Sequence, residues 1–435
     1  FSSPCRFCFA SFPSLDDPYY LIVYISFLFV KKYFMKIKFC KLLSNQISFG
    51  AIIISLVINK YHCLTIFSNI FIKIVEKPKF MVLKYTSYKK EKVNMRSIII
   101  NAPKDVRIID KKPMPEPKEG EVLLKVLYGG ICGSDLGSYR GTFAYFSYPQ
   151  IPGHEFSAEV IKINSKKKTN IKEGMIVVCN PYFNCKKCYS CSNGHVNACQ
   201  DNQTMGVQRE GAFSEYITMP IERVMDGRGI DAKTLALIEP FCIARHGVKR
   251  ANAKKGDKVL IVGAGTIGIC AALYARSLGA DVYLSDISQE KLDYTKNTFG
   301  FEKFILNDEN FIAGVQNATE NNGFDITIEA VGLPSTFQNC IDAAAFCAKV
   351  VLIGVGKKNL DFNFTILQKK ELNVFGSRNS LSEDFNETID DVLAGKIKLD
   401  KLISQIYPLD DATSAFADFS SHSGEWTKVL IDFTK

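Results

Sequence analysis

Residues Asp257–Gly268 read DKVLIVGAGTIG, and this stretch decides the fold of the chain around it. The compact apolar run Val259–Val262 is typical of a buried strand, and three glycines with the spacing GxGxxG follow it directly. The first glycine of such a turn permits a tight bend, the second lets the backbone approach a pyrophosphate, and the third lets the next helix pack closely. The pattern predicts a strand, a dinucleotide-binding turn and a helix in succession.

An acidic residue downstream completes the predicted cofactor site. A second strand, Asp281–Ser285, leads into Asp286, about where an acid hydrogen-bonds the ribose hydroxyls of NAD. Asp286 would repel a 2′-phosphate, which favours NAD over NADP; the plainer interpretation is a glycine-rich turn with a surface aspartate. The predicted cofactor-binding residues are Gly263, Gly265, Thr266, Ile267, Gly268 and Asp286.

Elements of alternating type follow this motif. The first helix runs through Leu278, and Phe324–Glu329 and Lys349–Ile353 are apolar enough for buried strands with helices between them. This alternation predicts an α/β fold with a doubly wound parallel sheet. From about Gly376, the pattern predicts one amphipathic helix and a final strand, Lys428–Asp432.

Short strands dominate the region from Met95 to about Glu239 and predict an irregular β-rich domain. A Pro-rich turn is expected at Lys112–Pro117, and Thr234–Ala253 shows the apolar spacing of a helix. The strands expected here are Arg96–Ile100, Glu121–Tyr128, Phe156–Ile163 and Gly174–Val178.

Four cysteines stand close together with the spacing C-x2-C-x2-C-x7-C. Four such thiolates can complete a tetrahedral shell around Zn²⁺, and a closed shell predicts a structural metal site. Disulfides are unexpected in a cytosolic enzyme, while an iron–sulfur cluster stays open as an alternative. The residues are Cys185, Cys188, Cys191 and Cys199.

A second set of candidate ligands is dispersed along the chain: Cys132 in CGSD, the pair His154-Glu155, and Glu239 before Pro240. With these motifs, the chain from Met95 to Lys435 resembles the zinc-containing medium-chain dehydrogenase/reductase family, on its sorbitol dehydrogenase side. The resemblance implies two zinc ions per subunit. It also implies a catalytic zinc held by Cys132, His154, Glu155 and Glu239.

The resemblance also implies a domain organisation. We expect an atypical extension over residues 1–94, a GroES-like β-rich catalytic domain over 95–241, a Rossmann NAD-binding domain over 242–376 and a C-terminal return to the catalytic domain over 377–435. A homodimer or homotetramer in the cytoplasm is expected from the same resemblance.

Four further motifs look like those of a bacterial sugar-acid subgroup that includes L-galactonate and L-gulonate 5-dehydrogenases. They are FSYP at 146–149, GAFSEY at 211–216, LIEPF at 237–241 and GSRN at 376–379. The implied reaction is hydride transfer between NAD and a secondary alcohol of a polyol or sugar acid. L-Threonine 3-dehydrogenase or diol dehydrogenase activity remains an alternative, as does a non-catalytic nucleotide-binding relative.

The resemblance implies catalytic roles for Ser134 and Glu155, and the chemistry of the guanidinium makes Arg378 a third catalytic candidate. Ser134 would accept the substrate proton, with a turn hydroxyl as the plainer interpretation. Arg378 would orient substrate oxygens, or else form a surface or interdomain salt bridge. Many relatives have a proton-conducting histidine where this chain has Gly137, and His246 is interpreted as a packing or supporting residue.

The net charge of +9 is concentrated at the start of the chain. Residues 1–94 hold 14 Lys and Arg against 4 Asp and Glu, whereas the remaining 341 residues hold 40 against 41. Because that body is near neutral, nothing in it indicates a polyanionic partner such as nucleic acid.

Residues 1–94 contain only one of the 29 glycines of the chain, Gly50. Their apolar runs, Tyr20–Val30 and Phe49–Ile58, are too short for a membrane-spanning helix, which needs about 20 residues. Three interpretations stay open: a poorly structured extension, a membrane-associating segment, or translated non-coding sequence ahead of a native start at Met95. The last is our working hypothesis, and no membrane partner is expected for the rest.

Overall fold

The computed structural model describes residues 94–356 and 358–435, and the backbone of two short strands near the start. The chain divides into two units between Ser87 and Tyr88. In the first unit, the strands Lys38–Phe39 and Ile54–Ser55 pair antiparallel. Apart from these strands and Asn94, the interpretations offered for residues 1–94 lie outside the described residues.

The elements are numbered in chain order. The strands are β1 (Lys38–Phe39), β2 (Ile54–Ser55), β3 (Asn94–Ala102), β4 (Asp105–Pro113), β5 (Glu121–Ile131), β6 (Glu155–Asn164), β7 (Ile176–Cys179), β8 (Tyr182–Phe183), β9 (Gln203–Thr204), β10 (Tyr216–Pro220), β11 (Val224–Asp226), β12 (Lys258–Val262), β13 (Asp281–Asp286), β14 (Phe304–Leu306), β15 (Phe324–Glu329), β16 (Ala344–Leu352), β17 (Asn373–Gly376), β18 (Ile403–Pro408) and β19 (Lys428–Asp432). The helices are α1 (Gly133–Arg140), α2 (Tyr189–Ser192), α3 (Ala232–Leu235), α4 (Ile238–Arg250), α5 (Thr266–Ser277), α6 (Gln289–Phe299), α7 (Phe311–Thr319), α8 (Pro334–Ala343), α9 (Thr365–Lys369), α10 (Ser382–Leu393) and α11 (Ala412–Ser421).

The first sheet has the strand order β11-β7-β6-β5-β19-β18, with β10 also paired to β5. The long strand β5 is central because it pairs antiparallel with β6, β10 and β19. Strand β19 comes from the end of the chain, so the C-terminal segment completes this sheet. Its core is apolar and includes Phe213 and Phe416, whose rings meet edge to face.

The second sheet is parallel throughout, with the order β14-β13-β12-β15-β16-β17. This is the doubly wound order in which the chain reverses direction beside the first strand, β12. Alternate residues of a strand point to opposite faces. Accordingly, Val259 and Ile261 join one apolar cluster with α4 and α5, while Leu260 and Val262 join another with α7 and α8. The predicted parallel sheet covered by helices is confirmed.

Three sequence predictions differ from the structure. The turn expected at Lys112–Pro117 begins inside β4, a strand whose charged residues obscure its alternation. The single helical stretch Thr234–Ala253 is divided into α3 and α4. After Gly376 there are two helices and an additional strand, β18, so the expectation of one helix was wrong. The second helix, α11, buries a stripe of alanine and phenylalanine.

Among residues 94–356 and 358–435, no helix combines the length and apolar character that crossing a membrane requires. The domain boundaries expected at 241/242 and 376/377 stay predictions.

We predict that Gly268→Ala destabilises the fold, because a Cβ there would lie 1.7 Å from the backbone oxygen of Gly263. Overpacking of this kind costs about 1–3 kcal/mol. Gly265→Ala in the same turn is the matched control, since its Cβ would meet nothing within 4 Å. The free energy of unfolding in urea measures both, and equal stability of the two variants would contradict the close packing of α5 on β12.

Candidate metal and dinucleotide sites

Three of the dispersed candidate ligands meet in the structure. The thiolate of Cys132, the ring of His154 and the carboxylate of Glu155 offer ligand atoms that all lie within 4.8 Å of one another. Cys132 follows β5 directly and caps α1, while His154 and Glu155 lie where a loop enters β6. Adjacent antiparallel strands therefore bring together residues that are 22 positions apart.

Asp135 joins the two segments that carry these ligands. Its carboxylate accepts hydrogen bonds from the backbone N–H of Cys132 at 2.9 Å and of Gly153 at 3.2 Å. The first contact is half of a capping box at the start of α1, where an acidic residue also suits the helix dipole. Asp135 is fully buried, and burial raises the pKa of its carboxyl. The side chain thus holds the cysteine and histidine segments in register.

Lys428 is the cationic partner of Glu155. Its Nζ lies 2.8 and 2.6 Å from the two carboxylate oxygens and donates to the carbonyl of Ile131 at 3.2 Å. The lysine and glutamate side chains are 3% and 1% exposed. Burial alone would lower the pKa of Lys428, but the charges of Glu155 and Cys132 outweigh it and the pKa is raised.

The residues present fit a bound metal dication. Nδ1 of His154 is buried without a hydrogen-bond partner among the described residues. Burial tends to lower the pKa of His154, yet the surrounding Cys132 and Asp135 raise it well above its usual value. A set of thiolate, imidazole and carboxylate with surplus negative charge matches the ligand chemistry of Zn²⁺.

Glu239 lies near the start of α4 and is not among the three groups that meet so closely. Its carboxylate accepts a hydrogen bond from the hydroxyl of Tyr182 on β8. Both side chains are buried, and burial raises the pKa of Glu239 to about 7. Its role as the fourth metal ligand stays a prediction.

Ser134 lies on the first turn of α1, two residues after Cys132, and is partly buried. Gly137 on the next turn packs against Phe143, because a Cβ there would lie 3.1 Å from the Cβ of Phe143. The histidine that many relatives have at this position would therefore need Phe143 to shift. Tyr139 and Phe143 both pack against the apolar core of the first sheet.

The four clustered cysteines also converge, with their sulfur atoms within 4.8 Å of one another. The lobe that carries them, residues 182–204, is closed at its base by the pairing of β8 with β9. Backbone N–H groups donate to the sulfurs of Cys185 and Cys199 at 3.3 and 3.2 Å. None of the cysteines in the described part of the chain forms a disulfide. The arrangement suits a closed tetrahedral zinc site.

The glycine turn joins β12 to α5 at the carboxyl edge of the parallel sheet. Gly263 has φ +110°, in the left-handed region that favours glycine, and Gly265 is the extended residue that caps α5. Asp286 ends β13 and accepts from the backbone N–H of Ala264 at 2.8 Å and of Ser288 at 3.0 Å. Thr266 donates its hydroxyl to the carbonyl of Thr427 at 2.5 Å. Half-buried Ile267 packs on the adjoining core.

Arg378 and His246 both contact one residue of the cysteine lobe, Asn197. Asn197 of the lobe donates to the carbonyl of Arg378 at 2.9 Å and contacts Nε2 of His246 at 3.1 Å. The other ring nitrogen of His246 lies 3.1 Å from the carboxylate of Asp384. His246 therefore supports neighbouring elements, as the sequence suggested, while the Arg378 side chain is exposed.

Sequence reasoning missed Tyr182, Asn197 and Lys428. Lys428 lies 273 residues from Glu155 and Tyr182 lies 57 from Glu239, so no local spacing connects them. A weak signal existed for Lys428, a lysine that opens β19 directly before the apolar residues Val429–Ile431. Tyr182 and Asn197 were marked only by their closeness in sequence to the cysteines.

Two protein-family models match the chain. The alcohol dehydrogenase GroES-like domain matches residues 118–228, and the zinc-binding dehydrogenase domain matches residues 266–394. The first range contains both cysteine motifs and the second contains the glycine turn from Thr266 onward. The GroES-like part of the predicted fold class is thereby confirmed.

Individual proteins match the same region. L-Galactonate-5-dehydrogenase of Escherichia coli (strain K12) is 32% identical over 339 residues, 78% of this chain and 99% of that protein. Sorbitol dehydrogenase of Halalkalibacterium halodurans is 28% identical over 328 residues, which cover 74% of this chain and 94% of that protein. The crystal structure of the short chain alcohol dehydrogenase RspB from E. coli CFT073, complexed with NADH, superposes with a TM-score of 0.73. It is 29% identical and covers 78% of this chain and 99% of that one.

We predict that Lys428→Met destabilises the protein by about 3–5 kcal/mol, because it leaves the Glu155 carboxylate buried without its partner. Lys435→Met is the matched control: Lys435 is 75% exposed and lies 3.8 Å from Asp432, so its loss should change the free energy of unfolding by about 0–1 kcal/mol. Urea unfolding compares the two variants. Equal stability would mean that Lys428 is not what neutralises Glu155.

We also predict that the cysteines of the lobe differ in reactivity once metal is removed. The hydrogen bond with Ser190 at 3.2 Å lowers the pKa of Cys188 to about 5, whereas burial raises the pKa of Cys199 to about 11. At pH 6, Cys188 is then mostly thiolate and should react with iodoacetamide long before Cys199. Peptide mass spectrometry reads the order of modification. Unchanged reactivity after zinc is restored would contradict a metal site at these cysteines.

Proposed function

Because the chain belongs to the zinc-binding dehydrogenase family with an alcohol dehydrogenase GroES-like domain, we propose that it oxidises a secondary alcohol of a sugar acid of the L-gulonate or L-galactonate type. Membership confirms the predicted enzyme class, a zinc-dependent dehydrogenase with a nicotinamide cofactor. The observation that carries the proposal is the group formed by Cys132, His154 and Glu155, for which the proposed fourth group is the carboxylate of Glu239 and not a second cysteine thiolate.

The residues of this chain divide the work of the proposed reaction. Cys132, His154 and Glu155 would hold the catalytic zinc, with Glu239 as the fourth group, and the bound ion would supply Lewis acidity that lowers the pKa of an alcohol. Ser134 is placed on the first turn of α1 to accept the hydroxyl proton. From there the proton leaves without a histidine at Gly137, and both ring nitrogens of His246 are already engaged.

Asp286 supports NAD as the hydride acceptor. Its carboxylate is fixed by two backbone N–H groups at the end of β13, beside the glycine turn. A fixed negative charge at this position favours ribose hydroxyls and opposes a 2′-phosphate. Gly265, the exposed glycine of the turn, has open space beside it and leaves room for the pyrophosphate at the start of α5.

Arg378 is the proposed partner of the substrate carboxylate. Within the described residues, no acidic group pairs with its guanidinium, which argues against the salt-bridge interpretation. Its backbone is nevertheless held, because Asn197 contacts its carbonyl. A fixed backbone with an unpaired guanidinium suits the binding of a carboxylate in two-point geometry.

We further propose a cytoplasmic homodimer or homotetramer. None of the ten cysteines of the described region forms a disulfide, as is usual in a reducing compartment. Light scattering of the purified protein tests the assembly, and a monomer at micromolar concentration would contradict it.

A substrate panel tests the proposed activity. We expect the reduction of NAD, followed as the absorbance of NADH at 340 nm, to be fastest with L-gulonate or L-galactonate. It should be slower with alditols and slowest with L-threonine and ethanol. Activity confined to simple primary alcohols or to L-threonine would contradict the proposal. NADP in place of NAD should support little turnover.

Cys132→Ser separates the metal site from the cofactor site. We expect turnover to be abolished and metal content to fall from two zinc ions to one per subunit, because one of the three closely placed ligands is weakened. NAD binding, measured by fluorescence quenching, should persist. Loss of NAD binding as well would mean that Cys132 supports the fold rather than the metal.

A further inference from the structure

The cysteine lobe contacts the helix that carries Glu239 at two points. Tyr182, three residues before the first cysteine, donates its hydroxyl to Glu239. Asn197, two residues before the last cysteine, donates its amide to Nε2 of His246. Glu239 and His246 are seven residues apart on α4, which is two helical turns, so they share one face of the helix. The lobe thus contacts α4 at two positions on that face.

The position of Tyr182 is tightly determined by its backbone. Its N–H donates to the side chain of Asn180 at 3.0 Å, and its carbonyl accepts from the guanidinium of Arg223. The same guanidinium donates to Asn184 at 2.7 Å, next to Cys185. Tyr182 on β8 is paired with Thr204 on β9, which follows the last cysteine of the lobe. The strand pair at the base of the lobe and the Arg223 guanidinium therefore fix the backbone from which the tyrosine side chain extends.

The carboxylate of Glu239 needs such a donor. It is 2% exposed, and a buried charged group without a hydrogen bond is costly. The tyrosine hydroxyl satisfies one oxygen and restricts the rotation of the side chain. Burial raises the pKa of Glu239, while the charge of His154 opposes that rise, so the carboxylate lies close enough to the open metal site to interact with one of its ligands.

We propose that Tyr182 is a positioning residue that holds Glu239 in place for the open metal site, so that the closed cysteine site controls the geometry of the open one. This inference rests on the proposed function, in which Glu239 is the fourth group at the catalytic metal. The cysteine lobe then does more than stabilise its own loop. It supplies the hydroxyl that orients a carboxylate outside the lobe.

Tyr182→Phe tests the proposal, because it removes the hydroxyl and keeps the ring. In the protein loaded with Co²⁺, we expect the visible absorption of the ion at Cys132 and His154 to shift. We also expect a chelator to remove that ion about 10- to 100-fold faster, the usual effect of losing a group that orients a metal ligand. In the zinc enzyme, kcat should fall while KM for NAD stays unchanged.

Tyr189→Phe is the matched control. Tyr189 lies in the same lobe and is 79% exposed, so its loss of a hydroxyl should alter neither spectrum nor chelation rate. If Tyr182→Phe has the spectrum and chelation rate of Tyr189→Phe, the proposal is overturned, even if its thermal stability is reduced.

A double-mutant cycle covers the case in which Tyr182→Phe folds poorly. If Tyr182 acts through Glu239, adding Tyr182→Phe to Glu239→Gln should change metal release no further. An additive effect would overturn the proposal and assign Tyr182 to general stability. These measurements use no substrate, so failure of the substrate panel with the expected metal behaviour would reject the proposed activity alone.

Discussion

The buried ion pair between Glu155 and Lys428 is the interaction on which the open metal site depends. Both side chains are almost inaccessible, and leaving either charge alone at that depth is strongly unfavourable. Glu155 begins β6 and Lys428 begins β19, and these strands flank β5 in the first sheet. The pair can form only after the last strand of the chain has joined that sheet. The ligand segment beside Glu155 is therefore secured by a residue from the C-terminal end of the described body.

Charge balance explains the composition of this site. Asp135 uses its carboxylate on two backbone N–H groups, and Lys428 neutralises Glu155. Burial lowers the pKa of His154, whereas Cys132 and Glu239 both raise it, so a single imidazole faces two acidic side chains. A bound dication would supply the remaining charge. Stability and metal binding are thus coupled through the same few buried groups.

Helix α4 is the element shared by the two halves of the protein. Its first turn carries Glu239, beside the β-rich region, and its apolar residues pack with α5 against the parallel sheet. His246, two turns later, links the cysteine lobe to Asp384 on α10. A displacement of this helix would move the carboxylate, the lobe and the cofactor-binding half together.

Cys132 and the His154-Glu155 pair were assigned through the family resemblance. Local patterns in the sequence were sufficient for the dinucleotide turn, the cysteine spacing and the parallel sheet. Each of these depends on residues a few positions apart, whose chemistry and backbone requirements are visible in sequence. The partners of those motifs were decided by tertiary structure. Lys428 reaches Glu155, and Tyr182 reaches Glu239, only because β19 adds to β5 and β8 closes the cysteine lobe. Burial of a charged group demands a partner, but which distant residue provides it depends on how the strands are arranged.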